Sequence, residues 1–147
     1  MLEVKQDLTK QQIEYAGEKI ASVRRLRRTT AEFVHAGGRS RTEPKPILGG
    51  IVTFESGWKP PLGDAFESAL RASLPEARVD LGCALCDGSF EVTYGTNGDP
   101  EITRGSAESS LIFFLLRLLR RLQQVATVPA IDYEEYSKLL IVEGVDG

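Results

Sequence analysis

Met1-Leu2-Glu3-Val4-Lys5-Gln6-Asp7-Leu8-Thr9-Lys10-Gln11-Gln12 reads as a strand running into a helix. From Met1 to Lys5, apolar and charged residues alternate, which is the period of a β-strand. Leu2 and Val4 then face one side of a sheet, while Glu3 and Lys5 face the other. Thr9-Lys10-Gln11-Gln12 has the capping-box pattern, in which a hydroxyl and an amide side chain each satisfy an orphan backbone N–H. The helix it opens is expected to run to about Arg28, because Ile13, Ala16, Ile20, Val23 and Leu26 recur at helical spacing.

Beyond that helix, residues 35–46 contain Gly37-Gly38, Pro44, Pro46 and the basic residues Arg39, Arg41 and Lys45 without periodicity. They read as an exposed, flexible loop. Ile47 to Phe54 is apolar and β-branched, with Gly49-Gly50 suiting a close backbone neighbour or a bulge. Residues 64–74 carry an apolar helical side. Val79–Leu85 and Phe90–Tyr94 flank Cys86-Asp87-Gly88-Ser89, a hairpin signal, and Asn97-Gly98-Asp99-Pro100 marks a further turn. Residues 107–125 form the most hydrophobic helix, expected in the core with Arg117, Arg120 and Arg121 reaching solvent. Asp132-Tyr133-Glu134-Glu135 offers a second capping box, for a short helix through about Leu140. Strand–helix–strand at the start favours a right-handed crossover and parallel pairing, and the hairpin makes the sheet mixed. The expectation is one α/β domain over residues 1–147: a mixed, partly parallel sheet flanked by helices.

Composition narrows the function. A chain of 147 residues with 41% hydrophobic and 27% charged residues can bury a core. Eighteen basic residues against 21 acidic ones leave a net charge of −3, so attraction to nucleic acid must come from a local patch. Two cysteines and one histidine exclude a disulfide framework and a zinc site of four such ligands. The run Leu111–Leu116 is far shorter than the ~20 apolar residues that span a bilayer, and no secretory signal is evident. The expected location is cytoplasmic, with no membrane contact.

Glu3 and Lys5 suit phosphodiester hydrolysis. The carboxylate would help to hold Mg²⁺, and the ammonium would orient the attacking water or offset transition-state charge. Gln11 and Tyr15 share a helix face near the end of the strand. The same Glu3–Lys5 pattern also fits two solvated charges guarding an edge strand. Arg24, Arg25, Arg27 and Arg28 cluster at the end of the first helix, followed by Arg39, Arg41 and Lys45. They could contact a phosphate backbone, or simply complement the helix dipole. Cys83-Ala84-Leu85-Cys86 has redox spacing but lies at a strand end, so buried structural thiols are expected.

Glu3-x-Lys5 closing a strand before a helix resembles the second motif of the restriction-endonuclease-like, or PD-(D/E)xK, superfamily. Gln11-x-x-x-Tyr15 resembles the additional motif of its RecB-like branch. Leu2 to Lys10, Ser22-Val23-Arg24-Arg25-Leu26 and Val128-Pro129-Ala130-Ile131-Asp132 are similar to an uncharacterised bacterial family of such domains. The resemblance implies a nuclease-like domain acting on DNA or RNA, with catalytic Glu3, Lys5, Gln11 and Tyr15, and with Mg²⁺ on Glu3. In that superfamily an Asp on a preceding strand completes the metal site, whereas only Met1 and Leu2 precede Glu3 here. The chain therefore resembles the C-terminal portion of a shortened nuclease core. A shortened reading frame, a partner chain or homodimer supplying the missing half, and a non-catalytic binding or assembly module all remain open. Asp7, Glu55, Asp64, Asp80 and Asp87 are available as substitute ligands.

Overall fold

A computed structural model describes residues 1–27, 33–35, 37–40, 45–125 and 137–138. Strand β1 (Leu2–Leu8) leads through helix α1 (Lys10–Arg24) and a small hairpin, β2 (Phe33–His35) and β3 (Gly38–Ser40), to β4 (Gly50–Ser56). Helix α2 (Asp64–Arg71) and a 3₁₀ turn (Pro75–Ala77) precede β5 (Leu81–Ala84), β6 (Gly88–Tyr94), β7 (Pro100–Gly105) and helix α3 (Ser110–Val125). The five-stranded sheet has the order β1-β4-β5-β6-β7. β1, β4 and β5 run parallel, and β5, β6 and β7 pair antiparallel. The expected mixed α/β sheet is present.

Several local signals act as anticipated. The Thr9 hydroxyl accepts the Gln12 backbone N–H at 3.3 Å and starts α1. Asp87-Gly88 closes the β5–β6 hairpin, with Gly88 at φ 137°, a conformation that disfavours a side chain. Gly50 admits the neighbouring strand, since a Cβ there would lie 2.9 Å from the Leu81 carbonyl oxygen.

Other boundaries move. α1 ends at Arg24 rather than Arg28: the Arg25 N–H closes the last turn on the Ala21 carbonyl, the Leu26 N–H bonds back to the Val23 carbonyl, and Leu26 is exposed. The stretch read as an unstructured loop contains the β2–β3 hairpin; residues 36 and 41–44 lie outside the described residues. α2 stops at Arg71, not Leu74, ahead of Pro75. β7 was not anticipated. It begins with a proline and is an edge strand, where a missing N–H donor is tolerated and alternation need not be strong. The second capping box lies outside the described residues, of which only Ser137 and Lys138 are helical there.

Two layers of side chains cover the sheet. On one face Ile13, Ile20, Ile51, Phe66, Leu70, Phe90 and Val92 form the main core under α1 and α2. Phe66 meets Phe90 edge-on, with ring centroids 4.8 Å apart. On the other face Leu81, Cys83 and Phe114 pack with Val52 and Leu118 under α3. The expected orientation of α3 is reversed in part. Arg117 is buried, whereas Leu111, Ile112, Leu115, Leu119 and Leu122 are exposed. The cause is Glu91 on β6, 2% exposed, whose carboxylate takes Arg117 at 3.1 Å, Arg120 at 3.5 Å and Arg121. A buried carboxylate without countercharge costs several kcal/mol, so the helix turns its arginines inward. The face of β1 and β4 beyond α3 stays open, with Val4 74% and Phe54 55% exposed.

Removing the Glu91 carboxylate leaves inward-facing guanidinium groups without their counterion. Glu91→Ala is expected to lower unfolding free energy by about 3–5 kcal/mol, and Arg25→Gln, at a surface ion pair, by under about 1 kcal/mol. Chemical denaturation of both variants measures the contrast.

Candidate functional site

Alternation along β1 places Leu2, Val4 and Gln6 toward solvent and leaves Glu3, Lys5 and Asp7 half-buried. Register pins the pair, with Glu3 beside Ile51 and Lys5 beside Thr53 of β4. The Lys5 ammonium lies 3.8 Å from a Glu3 carboxylate oxygen, and the two side chains are 25% and 20% exposed. It also sits 4.0 Å from the centroid of the Tyr15 ring on α1. Lys19, one turn further along α1, reaches the same ring at 5.3 Å. The face of an aromatic ring carries partial negative charge and attracts ammonium groups. Glu3, Lys5 and Tyr15 are thus brought together, with Lys19 as a fourth member that the sequence reading missed. Its signal was its spacing, four residues beyond Tyr15 on one helical face. Gln11 is exposed in the first turn of α1.

Such an arrangement can hold a positive charge beside a negatively charged substrate. It does not by itself fit a magnesium ion. Mg²⁺ is usually held by one or two carboxylates together with waters and substrate phosphates. Among the described residues, no group of three His, Cys, Asp or Glu side chains could hold a metal. None of the substitute ligands joins Glu3. Asp7 shares its face but lies four residues along the strand, roughly 13 Å away at strand rise. Glu55 is paired with Asp7 in the register and is exposed. Asp64 opens α2 on the surface. Asp87 accepts the Ser56 N–H at 2.6 Å. Asp80 accepts the Gly49 N–H and Arg24, each at 2.7 Å.

The described members of the arginine cluster have different surroundings. Arg24 donates to the carbonyl oxygens of Ile47, Glu76 and Arg78 as well as to Asp80, so it clamps α1 to the lower rim of the sheet. Arg25 pairs with Glu76 at 3.3 Å. Arg27 is exposed. Lys45 is exposed and engaged in a further interaction. Arg28, Arg41 and the side chain of Arg39 lie outside the described residues. Arg24 is therefore a structural donor, while Arg25 and Arg27 stay exposed at the surface. Burial pushes the Asp80 carboxyl up despite the Gly49 N–H and the Arg24 charge beside it. It also pushes the Cys83 thiol up, away from what a redox nucleophile needs, and Cys86 is exposed in the turn.

No family model matches the sequence. Over 141 residues the chain is 42% identical to "Endodeoxyribonuclease NucC" of Escherichia coli (strain MS 115-1) and 40% identical to the protein of that name from Pseudomonas aeruginosa. The chain is homologous to endodeoxyribonucleases. The similarity takes in 95% of this chain but 57% of each relative. The solved structure of the E. coli NucC apo form superposes with a TM-score of 0.73 at 40% identity, covering 61% of that chain. The cAAA-bound form of the P. aeruginosa protein superposes with a TM-score of 0.74 at 42% identity, covering 57%. The α/β sheet with its helices is thus shared with solved nucleases, and this chain spans less than two thirds of their length. Among the described residues, no helix is long and apolar enough to cross a membrane.

If Arg24 is a clamp, its loss is felt in folding. Arg24→Gln is expected to lower unfolding free energy by roughly 2–3 kcal/mol through lost charge-assisted hydrogen bonds. Arg27→Gln leaves stability nearly unchanged, and denaturant titration of the two variants makes the comparison.

Proposed function

We propose that this chain carries the Glu-x-Lys part of a DNA-cutting centre of the restriction-endonuclease-like type. Glu3 is the metal-side carboxylate, and Lys5 the cation facing the scissile phosphate. The observation that carries this reading is the Glu3–Lys5 pair, held on one face of β1 against Tyr15 in a chain homologous to endodeoxyribonucleases. Lys5 is poised by two neighbours: the Glu3 carboxylate limits its travel on one side and the Tyr15 ring on the other. An ammonium so placed meets the extra negative charge that develops on a phosphate under attack, and needs little reorganisation to do so. Lys19 adds positive charge 5.3 Å from the centroid of the same ring. Tyr15 is thereby a positioning residue, and Gln11 an accessory one in the first turn of the same helix.

Magnesium at Glu3 calls for a second carboxylate from outside the described residues. Among the described residues β1 is an edge of the sheet, and a further strand paired there would deliver it. DNA is favoured over RNA by the activity named for the relatives.

A plasmid-cleavage assay in Mg²⁺, run on the natural full-length protein or complex, tests the centre. Glu3→Gln and Lys5→Ala are each expected to reduce cleavage by at least about a hundredfold, with unchanged circular dichroism. Cleavage that survives Lys5→Ala removes that residue from the mechanism.

A second reading, assembly through β1, is favoured by the open edge strand and by exposed Leu2, Val4 and Phe54 beside the leucines of α3. A charge on that face opposes apolar association. Val4→Lys is expected to shift sedimentation toward the monomer; a monomeric parent at micromolar concentration would count against this reading.

A further inference from the structure

Away from β1, a cavity of about 390 Å³ opens at the lower rim of the sheet. Three guanidinium groups line it, those of Arg24, Arg78 and Arg121, along with a single carboxylate, Asp80, and the ring of Tyr94. Ile47 and Leu48 add an apolar wall. Its members come from five parts of the chain, which is why no motif announces it.

The charges do not cancel. Asp80 is already satisfied by Arg24 and by the Gly49 N–H. Arg78 donates through one terminal nitrogen to the Gly98 carbonyl and lies over the Tyr94 ring at 4.3 Å. Its Nε and its other terminal nitrogen have no acceptor among the described residues. Arg121 gives its Nε to Glu91 and one terminal nitrogen to the Val92 carbonyl, and its other terminal nitrogen has no acceptor among the described residues. Tyr94 donates its hydroxyl to the Val79 carbonyl at 3.0 Å, which locks the ring under Arg78. Two arginines are thus held rigidly by protein groups while each keeps N–H donors at the wall of one concave, partly apolar space. Guanidinium forks match phosphate oxygens, and a volume of this order falls within the range of small-ligand sites.

We propose that this cavity binds the phosphate monoester of a nucleotide, its dianionic group between Arg78 and Arg121 and its base or sugar against Ile47 and Leu48. A monoester carries close to two negative charges at neutral pH, against one for an internal diester, so a two-arginine pocket prefers it. The source is either a free nucleotide or the phosphorylated end of a nucleic-acid strand. The site shares no residue with the Glu3–Lys5 pair and does not rest on the nuclease reading.

Isothermal titration of the folded chain with inorganic phosphate, AMP and adenosine tests the site. AMP is expected to bind, inorganic phosphate to bind more weakly, and adenosine not to bind. Arg78→Gln weakens AMP at least tenfold, while Asp80→Asn, which removes the one negative charge from the wall, tightens it severalfold. A merely structural role predicts no such opposite signs. Arg25→Gln, outside the cavity, leaves affinity unchanged. Competition by a 5′-phosphorylated dinucleotide, but not by its dephosphorylated form, supports the site with a strand end as source. AMP binding without that competition supports it with a free nucleotide. No AMP binding at millimolar concentration, equal binding of AMP and adenosine, or undiminished binding by a folded Arg78→Gln variant overturns the proposal. If Arg78→Gln fails to fold, loss of tightening in Asp80→Asn overturns it instead.

Discussion

A carboxylate sealed beneath a helix governs much of this molecule. Glu91 sits on β6, in the middle of an antiparallel ladder, with its side chain toward α3. Ionised carboxylates are rarely left in such places without partners, and α3 answers with Arg117, Arg120 and Arg121. Once those three face the sheet, helical geometry sends the opposite stripe, Leu111, Leu115, Leu119 and Leu122, outward. The same demand brings Arg121 to the lower rim, where it meets Arg78 and Tyr94. The polar anchor, the arginine-lined cavity and the uncovered apolar stripe thus share one cause.

The Glu3–Lys5 pair belongs to a different part of the architecture. It depends on β1 lying parallel to β4 and on α1 crossing back over that pair. Ile13, Ala16, Ile20 and Ala21 bury one side of α1, and Tyr15 is left at its margin, where an ammonium can approach the ring. Gly17 lets the helix come close to the 3₁₀ turn, since a Cβ there would sit 2.9 Å from the Ala77 carbonyl oxygen. The pair therefore lies on the side of the sheet that holds the larger buried cluster, although among the described residues its own strand forms the edge.

Local chemistry could be read from residues, and non-local chemistry could not. Thr9 and Gln12, the Asp87-Gly88 turn and the β1 alternation each act within a few positions, so the strand–helix opening, the hairpin and the shared face of Glu3 and Lys5 were foreseeable. The α3 arginines were misjudged because their partner lies 26 to 30 positions away in a strand whose Glu91 looks like any surface acid. Neither phosphate contact nor complementing the helix dipole describes Arg24, for the same reason: Asp80 and three carbonyl groups claim it from distant segments. β7 escaped notice because an edge strand needs only one ladder and one covered face. Homology to endodeoxyribonucleases supports the resemblance drawn from Glu3-x-Lys5 at the level of nuclease relationship. Of the other carboxylates, Asp80 and Asp87 are held by hydrogen bonds of their own, and Glu55 and Asp64 lie exposed.

The register between β1 and β4 joins residues 48 positions apart, Leu2 with Gly50 and Leu8 with Ser56. A nascent chain leaving the ribosome would therefore carry Glu3 and Lys5 on a segment with no β4 to zip against until Ser56 has emerged. Contacts that close such long loops form late and slowly compared with helical turns. The shared face of Glu3 and Lys5 is thereby ordered within the sheet only after the second parallel strand has been synthesised.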